Sequence, residues 1–89
     1  MLFRSNQITL TAQPNPASDL LHLTVDQPLS GAVRASLISA DGRLLLQRSV
    51  NGLASAQVLT LDVQEIPSGV YLVRLESGAG VGVQKVVIR

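Results

Sequence analysis

The sequence has no cysteine and no tryptophan, and it has a single tyrosine and a single phenylalanine. Without cysteine there is no disulfide framework, no thiolate metal site and no thiol nucleophile. With aromatics at 2%, the stacking platforms that hold single-stranded nucleic acids are missing. Charge is scarce as well. Charged residues make up 15% of the chain, against about 25% in ordinary soluble domains. The formal net charge is +1 and no basic cluster stands out, so the electrostatic footprint of a nucleic-acid binder is absent too. No apolar run approaches the ~20 residues that a membrane-spanning helix requires.

What is present is aliphatic. The hydrophobic fraction is 46%, so the core must be built from Leu, Val, Ile and Ala, with Tyr71 and Phe3 as its only large anchors. The 89 residues fit one domain. A chain of this size buries only about 60–65% of its unfolded surface. Met1-Leu2-Phe3-Arg4 is too short for a signal peptide, and the chain is expected to be the C-terminal piece of a longer protein.

Strand signals dominate. Ile8, Leu10 and Ala12 alternate with threonines, the pattern of a half-buried strand. Pro14 and Pro16 then prevent continuation, because neither can donate to a ladder. Leu21, Leu23 and Val25 form the next set, with His22 and Thr24 outward. Residues 28–31 are expected to break it. Val33, Ala35 and Leu37 follow, then Leu44 and Leu46, where Leu45 makes the strand apolar on both faces. Asn51-Gly52 and the Ala/Ser-rich stretch after it mark a loop. Leu59, Leu61 and Val63, then residues 70–75, then residues 81–88 complete the set. No stretch has a helical period with caps. About seven short antiparallel strands with turns every ~8–12 residues predict an all-β chain, an immunoglobulin-like β-sandwich. The first strand belongs to the sandwich or to a linker arm.

Two turns have a mechanism. Ser39-Ala40-Asp41-Gly42-Arg43 closes either as a type I turn over Ala40-Asp41 with Gly42 left-handed in a bulge, or as a two-residue turn at Asp41-Gly42. In both, Gly42 needs positive φ. In Ile66-Pro67-Ser68-Gly69-Val70-Tyr71, Pro67 fixes φ and Gly69 permits a tight corner. Tyr71 then stands where sandwich domains place a tyrosine whose hydroxyl bonds back to the preceding loop.

Reactive constellations are lacking. His22, the only histidine, lies on the outward side of a strand and reads as solvated. Asp19, Asp26, Asp41, Asp62, Glu65 and Glu76 are dispersed and lack calcium-loop spacing. Asp62 and Glu65 are ordinary loop carboxylates rather than a cation site. Gly78-Ala79-Gly80-Val81-Gly82 precedes a strand rather than a helix, so it is a hairpin loop and not a phosphate cradle. Gly80 and Gly82 are expected to weaken the last strand.

Four segments matter by their order. Pro14-Asn15-Pro16-Ala17 through Asp19 is followed by Leu21 and Leu23. Leu37-Ile38 through Gly42-Arg43 comes next, then Leu61-Asp62-Val63 through Gly69-Val70-Tyr71. Lys85-Val86-Val87-Ile88-Arg89 ends the chain. In this order and spacing they resemble the type A C-terminal sorting domain of proteins exported by the type IX, or Por, secretion system. Ile38 stands where that family usually has Tyr, Ser39 where it has Asp, and Gln13 where an aromatic often precedes the first proline.

The resemblance implies a division at Pro14. Residues 1–13 would be a linker or first strand leading from a missing cargo domain, and residues 14–89 the sorting domain. It implies an address rather than an enzyme, with no catalytic residue, metal or cofactor, and no nucleic-acid or small-molecule partner. Its partners would be an outer-membrane translocon and a sortase that cuts in or ahead of residues 1–13. Its route would run through the periplasm to the cell surface or the medium. The recognised surface is expected at Gly69, Val70 and Tyr71 with Lys85, Val86, Val87, Ile88 and Arg89, with strand addition as one mode. Pro14, Asn15, Pro16, Asp41, Gly42 and Pro67 are structural turn residues. The competing readings are an accessory adhesion or carbohydrate-binding module, disfavoured by the missing aromatics, and an inert spacer.

Overall fold

Alternation decides which side of each strand goes inside. In a computed structural model that describes residues 8–55 and 57–89, the period-two sets become seven strands: β1 (Leu10–Gln13), β2 (Leu20–Val25), β3 (Leu29–Ser39), β4 (Leu44–Leu53), β5 (Leu59–Asp62), β6 (Gly69–Ser77) and β7 (Gly80–Ile88). They form two sheets, ordered β1-β2-β5 and β4-β3-β6-β7, and every strand pairing is antiparallel. No helix occurs among the described residues. The expected all-β sandwich is therefore the fold. The fourth strand lies in the larger sheet, whereas constant-type immunoglobulin domains place it in the other.

The inner faces meet in an aliphatic layer. Leu21 and Leu23 of β2 and Leu61 of β5 are buried with Leu37 of β3 and with Val73 and Leu75 of β6. Each such side chain contributes about 1.5–3 kcal/mol relative to exposure. Tyr71 is the one aromatic in this core; Phe3 lies outside the described residues. The first strand belongs to the sandwich: Leu10 and Ala12 point inward and pair with Val25 and Leu23.

Three local expectations change. Residues 28–31 do not end a strand. β3 begins at Leu29, and the register shifts between Leu29 and Ala32. Opposite it, β4 continues through Asn51 and Gly52 to Leu53, so the expected loop begins only after Leu53, in the Ala/Ser-rich stretch, and Asn51-Gly52 lies at a bulge. Gly31 and Gly52 both have positive φ there, 73° and 84°, which is why the two strands can bend together. The leucine run of β4 is also resolved by a bulge. Leu37 pairs with Leu46 and Ile38 with Leu44, leaving Leu45 as the extra residue. Leu45 and Leu46 both pack on the core, and Leu44 faces solvent.

Gly82 is the third. It faces inward at a point where the N-terminal segment crosses β7, and the Ile8 amide donates to the Val81 carbonyl at 3.0 Å. A Cβ on Gly82 would lie 2.6 Å from the Ile8 carbonyl oxygen and 3.2 Å from the Leu10 Cβ. Beyond the expected weakening of the strand, this glycine makes room for the close approach of two backbones. Gly82→Ala is expected to destabilise by about 1–3 kcal/mol, as overpacking does. Gly78→Ala, with nothing within 4 Å, should be close to neutral. Denaturant midpoints of the two variants test this, and equal midpoints would remove the close-approach role.

Candidate functional site

The C-terminal strand gathers most of the residues singled out in the sequence. One edge of β7 pairs with β6 from Gly80 to Ile88. Its other edge is met by the Pro-Asn-Pro segment. The Asn15 carboxamide donates to the Lys85 carbonyl at 3.3 Å and accepts from the Val87 amide at 2.9 Å. Ala17 continues the pairing. Its amide donates to the Val87 carbonyl and its carbonyl accepts from the Arg89 amide, both at 2.9 Å. The result is a short parallel bridge between Ala17 and Ile88.

The residue types explain the clasp. Pro14 and Pro16 have no N–H to leave unpaired and hold φ fixed. A carboxamide carries one acceptor and two donors on a planar group, so Asn15 can stand in for a peptide unit. Ala17, 1% exposed, tucks its methyl into the core. Both X–Pro bonds of this segment, Gln13-Pro14 and Asn15-Pro16, are cis.

The corner ahead of β6 is as expected. The Tyr71 hydroxyl donates to the Pro67 carbonyl at 2.5 Å. The ring passes so close to Gly69 that a Cβ there would lie 3.4 Å from its Cε1. The β3–β4 turn takes the first of its two readings. The Gly42 amide donates to the Ser39 carbonyl at 2.9 Å and Gly42 has φ of 88°, a type I turn over Ala40-Asp41 followed by a left-handed glycine. Ser39 braces this turn. Its hydroxyl accepts from the Arg43 amide at 3.1 Å and bonds the Asp41 carboxylate.

Burial divides the candidate recognition residues. Val70, Lys85 and Arg89 are exposed, and Gly69 and Val87 are half-buried. Tyr71, Val86 and Ile88 are buried, because alternation turns them into the sandwich. These three are withdrawn from the candidate surface: they position it and do not form it. Strand addition at Lys85 to Arg89 meets a further obstacle, since Asn15 and Ala17 already occupy that edge.

Elsewhere the side chains are engaged in ordinary ways. His22 is exposed and lies 3.1 Å from the Thr60 hydroxyl across the β2–β5 pair. Asp62 accepts from the Gln64 amide at 3.1 Å. Among the described residues no three His, Asp or Glu side chains converge as metal ligands would. Arg48 closes the seam between the sheets by donating to the Thr60 carbonyl at 2.6 Å. The sequence reading missed this contact and the reach of Asn15 and Ala17 across the chain. The Pro-Asn-Pro spacing flagged a turn, but nothing local named its partner 70 residues away.

Charge is segregated between the sheets. All six cations of the described residues, Arg34, Arg43, Arg48, Arg74, Lys85 and Arg89, lie on strands or turns of the four-stranded sheet or just beyond its end. Asp19, Asp26, Asp62 and Glu65 lie in or beside strands of the other sheet.

The sequence model of the family described as the secretion system C-terminal sorting domain matches residues 11–89. No curated protein matches the chain.

Two outcomes check this site. Asn15→Ala leaves the Val87 amide without its acceptor, so the variant should lose about 1 kcal/mol and the Val87 amide should exchange with solvent faster. An unchanged midpoint with unchanged exchange would show that the clasp carries no weight. The Asp41 carboxyl is held below its ordinary value of 3.8, above all by the Ser39 hydroxyl; burial opposes this, and the backbone amides of Asp41 and Arg43 add lesser lowering effects. A lowered folded value means that this turn's contribution is present above pH 3.8 and is lost as pH falls through the folded value. In an NMR titration, Ser39→Ala should raise the Asp41 value toward 3.8, and no change would remove the hydroxyl as its cause.

Proposed function

The chain belongs to the C-terminal sorting domains of the type IX secretion system, and from that membership we propose that it is read at an outer-membrane translocon and then removed from its cargo by a sortase. As a sorting signal it directs an attached protein to the cell surface or the medium. In this proposal the cargo precedes the domain, crosses the periplasm with it, and parts from it after export. The reaction belongs to the sortase; this chain supplies the address.

The observation that carries the proposal is the extent of the match. It runs from Thr11 in β1 to Arg89, so it covers both the clasp and the strand that the clasp holds. The distribution of polar groups supports the same reading. They serve turns, seams and strand edges, and the core is aliphatic.

The cut has a defined place in this proposal. A protease needs extended backbone that is not already paired. Ile8 bonds Val81, and β1 pairs with β2. Of the region expected to contain the cut, residues 8–13 are thus docked, and residues 1–7 lie outside the described residues. The cleaved bond is assigned upstream of Ile8.

Fusion to an inert reporter in a type IX-competent cell tests both halves. The reporter should reach the exterior, and its intact mass should show loss of every residue from Ile8 onward. Removing residues 85–89 should leave the fusion inside the cell. A displayed reporter that still carries residues 8–89 would end the sortase assignment, and normal display of the truncated fusion would end the role of the C-terminal strand.

A further inference from the structure

Four of the six large apolar side chains most exposed to solvent lie on the outer face of the four-stranded sheet: Leu44 at 53%, Val70 at 49%, Leu72 at 41% and Val83 at 54%. Register makes three of them neighbours. Leu44 pairs with Ile38, Ile38 with Leu72, and Leu72 with Lys85, giving one row across all four strands. Beside it Val70 pairs with Val87. Cross-strand partners on one face have Cβ atoms about 4.5–5.5 Å apart, so the row is a continuous apolar stripe about 14 Å wide that ends in an ammonium group.

The rim of this stripe is basic. Lys85 closes the row, Arg74 lies in the next row of the same face, and Arg89 follows at the strand end. The one acid on the strands of this face, Glu76, is paired with Arg74 at 3.3 Å. Asp41, in the β3–β4 turn, is the other acid of this sheet and bonds Ser39; the remaining four acids lie in or beside the other sheet.

Resting on the sorting reading, we propose that this outer face, centred on Leu72, docks against a protein of the secretion machinery whose surface presents an apolar depression with an acidic rim. Both features of the face call for that partner. Aliphatic side chains without polar interruption require an apolar counterpart, and a rim on which Lys85 and Arg89 have no acidic partner among the described residues selects for carboxylates and repels basic surfaces. An anionic lipid surface fits less well. Interfacial binding relies on Trp or Phe set into the headgroup layer together with clustered Lys and Arg, and among the described residues no aromatic belongs to this face. Strand addition along β7 is the other route to a partner, and Asn15 and Ala17 already hold that edge.

The test uses the reporter fusion with matched substitutions. Leu72→Glu places an acid in the stripe. Leu20→Glu places one at equal exposure, 42%, on the three-stranded sheet. Lys85→Glu reverses the rim and Lys85→Arg preserves it. Each 89-residue chain is first melted alone, so that a loss of export is counted only where the fold is intact. Leu72→Glu and Lys85→Glu should reduce the exported reporter by about tenfold or more, the effect of losing one hot-spot contact. Leu20→Glu and Lys85→Arg should export within about twofold of the unaltered chain, well inside the tenfold that marks a lost contact. Normal export of folded Leu72→Glu overturns the docking face and leaves the sorting reading standing. Failure of the unaltered fusion to leave the cell overturns the sorting reading itself, and the face with it. Flotation of the unaltered chain with vesicles of phosphatidylcholine and phosphatidylserine, abolished by the same two substitutions, makes the face a lipid surface and overturns the protein partner.

Discussion

The C-terminal strand is hydrogen-bonded along both edges, and the rest of the molecule follows from that constraint. Chain termini usually fray, and an open sheet edge invites pairing with other chains. Here β6 holds one edge of β7, and on the other Ile8 engages Val81 while Asn15 and Ala17 engage Lys85, Val87 and Arg89. The first strand and the last belong to different sheets, so these bonds also fasten one sheet to the other along a long side of the sandwich. Arg48 and Thr60 do the same on the opposite side, between β4 and β5. A sandwich with small aliphatic side chains between its layers has no large anchor except Tyr71 to fix the sheets against each other. Polar contacts at the seams supply that fixation.

With the β7 edge occupied, the faces of the sheets come into consideration as surfaces for a partner, and the two faces differ. The larger sheet carries every described cation and most of the exposed aliphatic side chains, and the smaller one has four of the acids in or beside its strands. A net charge of +1 conceals this division. The low total charge matters here. Where few charges exist, their placement sets the local field, and a handful on one sheet is enough to give an approaching partner a preferred orientation.

Much of this architecture could be taken from the sequence because one-sided burial writes itself into period-two alternation. Ile8, Leu10 and Ala12, then Leu21, Leu23 and Val25, gave their strands and faces directly. Gly42 and the Pro67 to Tyr71 corner were legible because each turn geometry demands particular residues. The errors have a common cause. Pro28 does stand between β2 and β3, whereas Gly31 and Asn51-Gly52 carry turn signals that are spent on a bulge within paired strands. A glycine with positive φ says that the chain bends there and is silent on whether pairing continues. The packing role of Gly82 was missed for a related reason: its value lies in Ile8, a neighbour only in space. Of the residues expected at a recognised surface, Lys85 and Arg89 are exposed, whereas Val86 and Ile88 were named for their position in the chain when their parity places them inside.

That parity explains why the signal takes the form of a folded domain. Within the last five residues, Val86 and Ile88 build the core while Lys85, Val87 and Arg89 form surface. The tail presents a defined face only when the first pair is buried. Its neighbours on that face, Val70 and Leu72, come from β6, and their register with Val87 and Lys85 is set by the β6–β7 ladder. The rotation of the tail about its own axis is set by Asn15 and Ala17 from the other end of the chain. Cut free of the domain, the same five residues would display all their side chains at once and fix no relation among them. In the docking proposed above, a partner that discriminates by the spacing of Leu72, Lys85 and Val87 could engage only a chain that has folded, and completion of the sandwich would then be a condition of that engagement.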